Sequence, residues 1–169
     1  LLIESIREPN PVVFFADLML LGKKGDVPEG AYSIEFGKAD VKREGTDVTV
    51  VAIGSTVPQA LEVADQLAET GVSVEVIDPR TLVPFDWDAV AKSVSKTGRL
   101  VAVDPNRETC GAASEIITQA VERCWSQLKA QPQRVTWPNV PMPYSPPLEK
   151  AVVSDLDDIR RAIELTLKS

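Results

Sequence analysis

The chain contains no histidine among its 169 residues. That removes the side chain most often used to move protons near neutral pH, and with it any cysteine–histidine nucleophile. Cysteine is nearly as scarce: two residues, Cys110 and Cys124, are too few for a disulfide framework and are expected as free thiols of a reducing cytosol. No apolar run reaches membrane-spanning length. The opening "LLIESIREPNPVVFF" lacks the basic start of a signal peptide and carries two glutamates in its first eight residues. Basic residues are outnumbered 18 to 25, for a net charge of −7, which argues against nucleic acid as a partner. Internal repeats, low-complexity segments and an acidic tail are missing as well. The remainder is 44% apolar and 25% charged, the balance of a globular domain with a core.

From residue 46 onward the pattern is regular. "DVTVVAIG" (47–54) is a β-branched run ending in glycine, and "TVPQALEVADQLAETG" after it has apolar residues at 57, 60, 61, 64, 67 and 68. That spacing is a helical stripe, with Pro58 in its first turn and Gly71 as stop signal. "VSVEVID" (72–78) reads as a strand and "DWDAVAKSVSKTG" (86–98) as a helix with Asp86 as N-cap. "RLVAVD" (99–104) is a strand ending on its acid, and "GAASEIITQAVERCWSQL" (111–128) is its helix. "QRVTW" (133–137) is a short strand, and "SDLDDIRRAIELTLK" (154–168) is a final helix with Ser154 and Asp157 in capping-box spacing. Nearly continuous apolar strands alternating with helices predict an α/β fold. The expected architecture has three layers: a mostly parallel five-stranded sheet with one antiparallel edge strand, and helices on both faces. "KADVKREGTDVTVV" reads as a hairpin around Glu44-Gly45-Thr46, which makes the charged 38–43 that edge strand.

The first 36 residues do not fit the series. "LLIESIREPNPVVFF" reads as a short helix, a proline-bounded turn and a strand, without a core of its own. "GKKGDVPEGAYSIEFG" (22–37) reads as a linker. The expected division is therefore residues 1–36 as the tail of a preceding domain plus linker, and 37–169 as the domain proper. On this reading Leu1 is not a natural start, and the apolar faces of 1–21 either meet a second copy or fray. "PNVPMPYSPPLE" (138–149) holds five of the 13 prolines and reads as a stiff extended surface loop, with Pro143 and Tyr144 as candidate contact residues.

Ligands of a parallel sheet sit outside the carboxyl ends of its strands. Three loops qualify: "GSTVP" after Gly54, "DPRTLVPFD" after Ile77 and "DPNRETCG" after Val103. Gly54, Ser55 and Thr56 offer backbone N–H groups to an anion, but one glycine is far from a phosphate-binding motif, and an N-cap role explains Ser55 or Thr56 fully. Asp78 and Asp104, at neighbouring strand ends and each before a proline, suggest a metal or acid–base pair on one reading. The simpler reading is that each bonds its own loop backbone. Arg80 fits a clamp for a carboxylate or phosphate, or a loop-holding pair with Asp78 or Asp104. Arg107 belongs to the same rim. Cys110 stands near a helix N-terminus and reads as a small residue accepted in tight packing. Trp87, Trp125 and Trp137 are core or interface anchors. Nothing in this set is self-sufficient catalysis.

Several stretches together resemble a known family. "REPNPVVFF", "GDVPEGAYSIEFGKADVKREGTDVTVVAIG", "VEVIDPRTLVPFD", "KTGRLVAVD" and "PYSPPLEKA" are similar, in order and spacing, to the β subunit of thiamine-diphosphate-dependent 2-oxoacid dehydrogenases. Within it they resemble the C-terminal domain, of the transketolase C-terminal superfamily. The resemblance implies that residues 1–21 correspond to the end of the pyrimidine-binding domain and 22–36 to the interdomain linker. It implies a domain for assembly, with a second β subunit, an α subunit and a lipoyl acyltransferase core as partners, and neither nucleic acid nor membrane. Thiamine diphosphate and Mg2+ are implied for the holoenzyme. None of the catalytic, cofactor-binding or metal residues is implied for this chain, because the activating glutamate belongs to the preceding domain. Where many members have Glu-His after the first strand, this chain has Ala16-Asp17; at the third strand end it has Asp104-Pro105 in place of His-Glu. With Cys110, that acid is more like acetoin-dehydrogenase-type β subunits.

The expected function is thus the assembly domain of a dehydrogenase β subunit in the cytoplasm, inactive alone. Asp78, Arg80, Asp104, Arg107, Cys110, Pro143 and Tyr144 are its interface candidates. The alternative is a stand-alone acidic protein-interaction module derived from that domain. A nucleotide-binding regulatory domain is disfavoured by the lack of a glycine-rich phosphate loop.

Overall fold

A computed structural model describes residues 1–168. In chain order the elements are α1 (Leu2–Arg7), β1 (Asp40–Arg43), β2 (Val48–Ala52), α2 (Thr56–Ala68), β3 (Val74–Asp78) and α3 (Trp87–Thr97). They continue with β4 (Leu100–Arg107), α4 (Ala112–Cys124), β5 (Gln133–Trp137), α5 (Pro146–Lys150) and α6 (Leu156–Leu167). Short 3-10 turns cover Leu18–Leu20 and Trp125–Gln127. The strands form one sheet in the order β1-β3-β2-β4-β5, with β1 antiparallel to β3 and every other pairing parallel. This is the expected fold class.

Each strand's alternation divides its side chains between two helix layers. Val48, Val50 and Ala52 of β2, with Val76, Val101 and Val103, face Ala60, Val63, Leu67, Ile159 and Ile163 of α2 and α6. Val51, Ile77, Leu100 and Ala102 face Val90 and Val94 of α3 and Ile116 and Ala120 of α4. The caps of α3 are as expected: the Asp86 carboxylate accepts from Ala89 N–H, and Gly98 turns left-handed at φ 75°.

Five expectations are corrected. First, β1 does not form a hairpin with β2. It pairs with β3, Asp40 opposite Asp78 and Val41 opposite Ile77, because both edges of β2 are already taken by β3 and β4. The chain crosses the start of β3 at Gly45, where a Cβ would lie 2.3 Å from Glu75 N. Second, residues 11–17 form no strand and do not join the five-stranded sheet of the described residues, although the run is β-branched and aromatic. Third, β4 runs past Asp104 to Arg107, with Pro105 at an irregularity in the pairing with β5. Fourth, the proline-rich loop is extended only to Ser145; Pro146 and Pro147 then open α5, where their missing N–H groups cost nothing. Fifth, the capping box of α6 is Asp155 with Asp158, one residue later than Ser154 with Asp157. The Asp155 carboxylate accepts from the N–H groups of Asp157 and Asp158, while Ser154 is buried.

The α3 layer also contains polar groups. Thr49 Oγ1 lies 2.6 Å from Ser93 Oγ and 2.8 Å from Thr97 Oγ1, so the one hydroxyl of β2 is satisfied inside. Glu75, 3% exposed on β3, accepts from Gly45 N–H and pairs with Lys96 of α3, which also reaches Glu44. Burial pushes the Glu75 carboxyl up, but the Lys96 and Ser93 side chains and the Gly45 N–H outweigh it and hold it below the ordinary glutamate value. Such a group stabilises the fold above its unfolded pKa, and the stabilisation is lost as pH falls through its folded pKa. Lys96→Met is expected to cost about 2 kcal/mol at pH 7, less than for a fully buried pair because Lys96 is 41% exposed. The cost should shrink toward pH 4, where the orphaned Glu75 takes up a proton. Urea unfolding of both proteins across that range checks it.

Candidate functional site

The strand order reverses between β2 and β4, which makes the crevice at their carboxyl ends the expected ligand position of this sheet. The loop after β2 lies on it. Gly54 has φ +57°, and the next N–H, of Ser55, points out of the N-terminus of α2. It donates to the Asp17 carboxylate, at 2.7 Å to Oδ2. A Cβ on Gly54 would lie 2.7 Å from that same oxygen. Asp17 Oδ1 accepts from Met19 N–H at 2.9 Å and so caps the Leu18–Leu20 turn. Partial burial pushes the Asp17 carboxyl up. The side-chain and backbone hydrogen bonds of Ser55 and the Met19 N–H outweigh it, so it titrates below the ordinary aspartate value. The expectation that Ser55 or Thr56 caps α2 is therefore corrected: Ser55 makes no side-chain cap, and Thr56 Oγ1 bonds back to Ile53. The anion at this helix end comes from 38 residues upstream.

At the end of β3, Asp78 Oδ1 accepts from Arg80 N–H at 3.0 Å, the loop-holding role of the simpler reading. Burial pushes the Asp78 carboxyl up, against the Arg80 N–H and the charges of Lys42 and Arg80. The Arg80 guanidinium, on a left-handed backbone at φ 59°, reaches neither Asp78 nor Asp104 as expected. It pairs with Asp40 of β1 at 2.5 Å, beside Lys42 at 2.6 Å from the same oxygen. Burial pushes Asp40 up and these two cations more than offset it, leaving it below its ordinary value. Thr81 Oγ1 accepts from Gly37 N–H and Asp86 Oδ2 from Ala39 N–H, which ties the end of the 22–36 linker to this loop. Leu82 and Val83 are exposed beyond it.

At β4, Asp104 is buried and accepts from Ala113 N–H at 3.1 Å, capping α4. It is not the strand-end neighbour of Asp78, since β2 lies between their strands. Arg107 Nε donates to Val140 O at 3.3 Å, and Asn139 bonds Glu108 and Thr109, so the loops after β4 and β5 form one unit. Cys110 is exposed, with φ 60°, rather than tightly packed. Pro143 is half-buried and Tyr144 fully exposed. Of the tryptophans, Trp87 stacks on Phe85 at 4.1 Å and lies under Arg123, whereas Trp125 is 73% exposed.

The rim thus brings Asp17, Ser55, Asp78, Arg80, Asp104 and Arg107 to one edge, but each is already engaged with a backbone group or an ion partner. The described residues contain no group of three or more Cys, Asp or Glu placed to hold a metal. At the crevice itself, the Ser55 N–H that a diphosphate would use is taken by Asp17. Sequence reading missed Asp17 and Asp40. An Asx turn at Asp17 was detectable locally, but its contact with Ser55 leaves no local signal.

The sequence profile of the family described as "Transketolase, C-terminal domain" matches residues 37–159. The chain is 43% identical over 168 residues to the β subunit of an acetoin:2,6-dichlorophenolindophenol oxidoreductase of Cupriavidus necator, covering 99% of this chain and 50% of that protein. It is 41% identical over 146 residues to the pyruvate dehydrogenase E1 component β subunit of Bacillus subtilis, covering 86% and 45%. A solved structure titled "Split gene transketolase, inactive beta4 tetramer" superposes with a TM-score of 0.67 at 26% identity, over 85% of this chain and 46% of that one. The chain spans about half the length of the curated relatives it matches. No described helix is long and apolar enough to cross a membrane.

Two outcomes follow from the carboxylates. Asp104→Ala, which removes the cap of α4, is expected to cost about 1–2 kcal/mol in urea unfolding. Asp78 behaves oppositely. Its folded pKa lies above the unfolded one, so its charge opposes folding at pH 7 and ceases to do so as pH falls through the folded value. Asp78→Asn should therefore leave the melting temperature at pH 7 unchanged or slightly raised, with the Arg80 N–H still accepted.

Proposed function

The chain belongs to the transketolase C-terminal domain family, and from that premise we propose that it is the assembly domain of a β subunit in a thiamine-diphosphate-dependent 2-oxoacid or acetoin dehydrogenase. The holoenzyme would oxidise and cleave its substrate and pass the acyl group to lipoamide. Thiamine diphosphate supplies the carbanion stabilisation there. This chain would hold subunits together, with a second β subunit, an α subunit and the acyltransferase core as partners. On this reading residues 1–36 are the end of a preceding pyrimidine-binding domain plus linker, 37–169 are the domain proper, and the protein is cytoplasmic. Asp78, Arg80, Asp104, Arg107, Cys110, Pro143 and Tyr144 lie at or behind the surface that would meet those partners.

One observation carries the proposal. The carboxyl rim, where an α/β enzyme does its chemistry, has its charges committed to helix ends and loops. Beside it the chain exposes apolar side chains suited to burial against protein, with Phe15 86% and Leu18 77% exposed. Similarity to both an acetoin and a pyruvate enzyme subunit supports the reaction class. Asp104 and Cys110 incline the resemblance to the acetoin type.

The test is binding. Titration calorimetry of the chain with thiamine diphosphate and Mg2+ should show no micromolar site, and capture from its source organism should return the α subunit or the lipoyl acyltransferase. A micromolar cofactor site would contradict the reading. Capture of an unrelated basic protein in place of those subunits would favour the stand-alone module.

A further inference from the structure

The chain from Asp17 to Ala39 is bonded to the rest of the domain at both of its ends, with very different chemistry. Its near end is held by ordinary loop bonds, Gly37 N–H to Thr81 and Ala39 N–H to Asp86. Its far contact is the Asp17 carboxylate on Ser55 N–H. Between them, residues 22–33 are exposed. The contact with Ser55 is therefore a long-range closure, made at the crevice between β2 and β4.

Three features are built for it. Gly54 has no Cβ, and one there would collide with Asp17 Oδ2. Ser55 leaves the N-terminus of α2 without a side-chain cap of its own, unlike α3 and α6, which carry Asp86 and Asp155 at that position. Asp17 itself is fixed by its turn, so that Oδ1 is held by Met19 N–H while Oδ2 faces Ser55. A carboxylate at a helix N-terminus gains from both the free N–H and the macrodipole.

We propose that Asp17 is an internal ligand of the crevice: its carboxylate occupies the place where a sheet of this strand order receives an anion, and so docks residues 17–21 as a strap across the rim. The strap keeps its position because of this contact, and the crevice is closed to external anions while it stays. Asp17 is a positioning residue, and the inference is independent of the assembly reading.

The readout is amide hydrogen exchange in the full chain at pH 7. In Asp17→Ala, the amides of Ser55 and Met19 should exchange at least tenfold faster than in the unmodified chain, with Val50 and Val76 in the sheet unchanged. Asp17→Asn keeps an oxygen acceptor but loses the charge, and should fall between the two. The proposal is overturned if Ser55 exchanges at the same rate in all three proteins, for then no strap is docked. It is overturned equally if exchange at Val50 and Val76 rises along with Ser55, which would make Asp17 a determinant of global stability. Neither result bears on subunit binding, so failure here and failure of the assembly reading are distinguishable.

Discussion

Covering β2 on both faces and along both edges is the constraint from which the rest of the domain follows. All five of its residues are buried, and β3 and β4 flank it in parallel. Its backbone groups find partners only in those strands, and its side chains only in the two helix layers. Thr49 is tolerated there because Ser93 and Thr97 of α3 come within hydrogen-bond distance of its hydroxyl. With no edge of β2 left, β1 must travel to the outer side of β3, and Gly45 allows the crossing. The same central position puts the reversal of strand order, and hence the crevice, at the end of β2.

The helices that start at this rim impose the second constraint. Each N-terminus presents unpaired N–H groups and a partial positive charge, and each takes an aspartate: Asp17 at α2, Asp86 at α3, Asp104 at α4 and Asp155 at α6. Of the two acids that in isolation resemble an acid–base pair, Asp104 caps α4 and Asp78 holds its own loop. Capping holds the helix-end aspartates in place. A rim organised in this way places its charges at the ends of the helices that cover the sheet.

How much of this was readable depended on whether the signal was local. The four parallel strands and their helices were legible because burial on both faces makes continuous apolar runs, and helix stripes repeat within one segment. Asp86 and Gly98 were legible because caps act on their own helix. Partners in space were not. The charges of 38–43 marked an edge strand correctly, yet nothing in them says which strand it borders. Residues 11–15 have the composition of a strand, but composition cannot supply a neighbour to pair with. Arg80 was placed in a loop-holding role, and its acid turned out to be Asp40, forty residues away in sequence. Asp17 was furthest from view, since its target lies 38 residues on and its own turn explains it completely at short range.

The apolar run around Asp17 bears on which kind of partner would suit the chain. The run from Pro11 to Leu21 has a single charged residue, Asp17, and the structure engages that one with Ser55. What remains outward is apolar: Val13, Phe15, Leu18, Met19 and Leu21 are all exposed. Burying a side chain of this size is worth roughly 1.5–3 kcal/mol, so several together amount to a substantial association energy that involves no charge. A stand-alone acidic module would draw on the −7 net charge to attract a basic partner, but those acids are interspersed with bases elsewhere in the chain. The free energy available along residues 11–21 is hydrophobic, which a matching apolar protein face releases and a basic peptide does not. In relatives about twice as long as this chain, such a face is what the remainder of a subunit or its neighbour would provide, and that weighs toward the assembly reading.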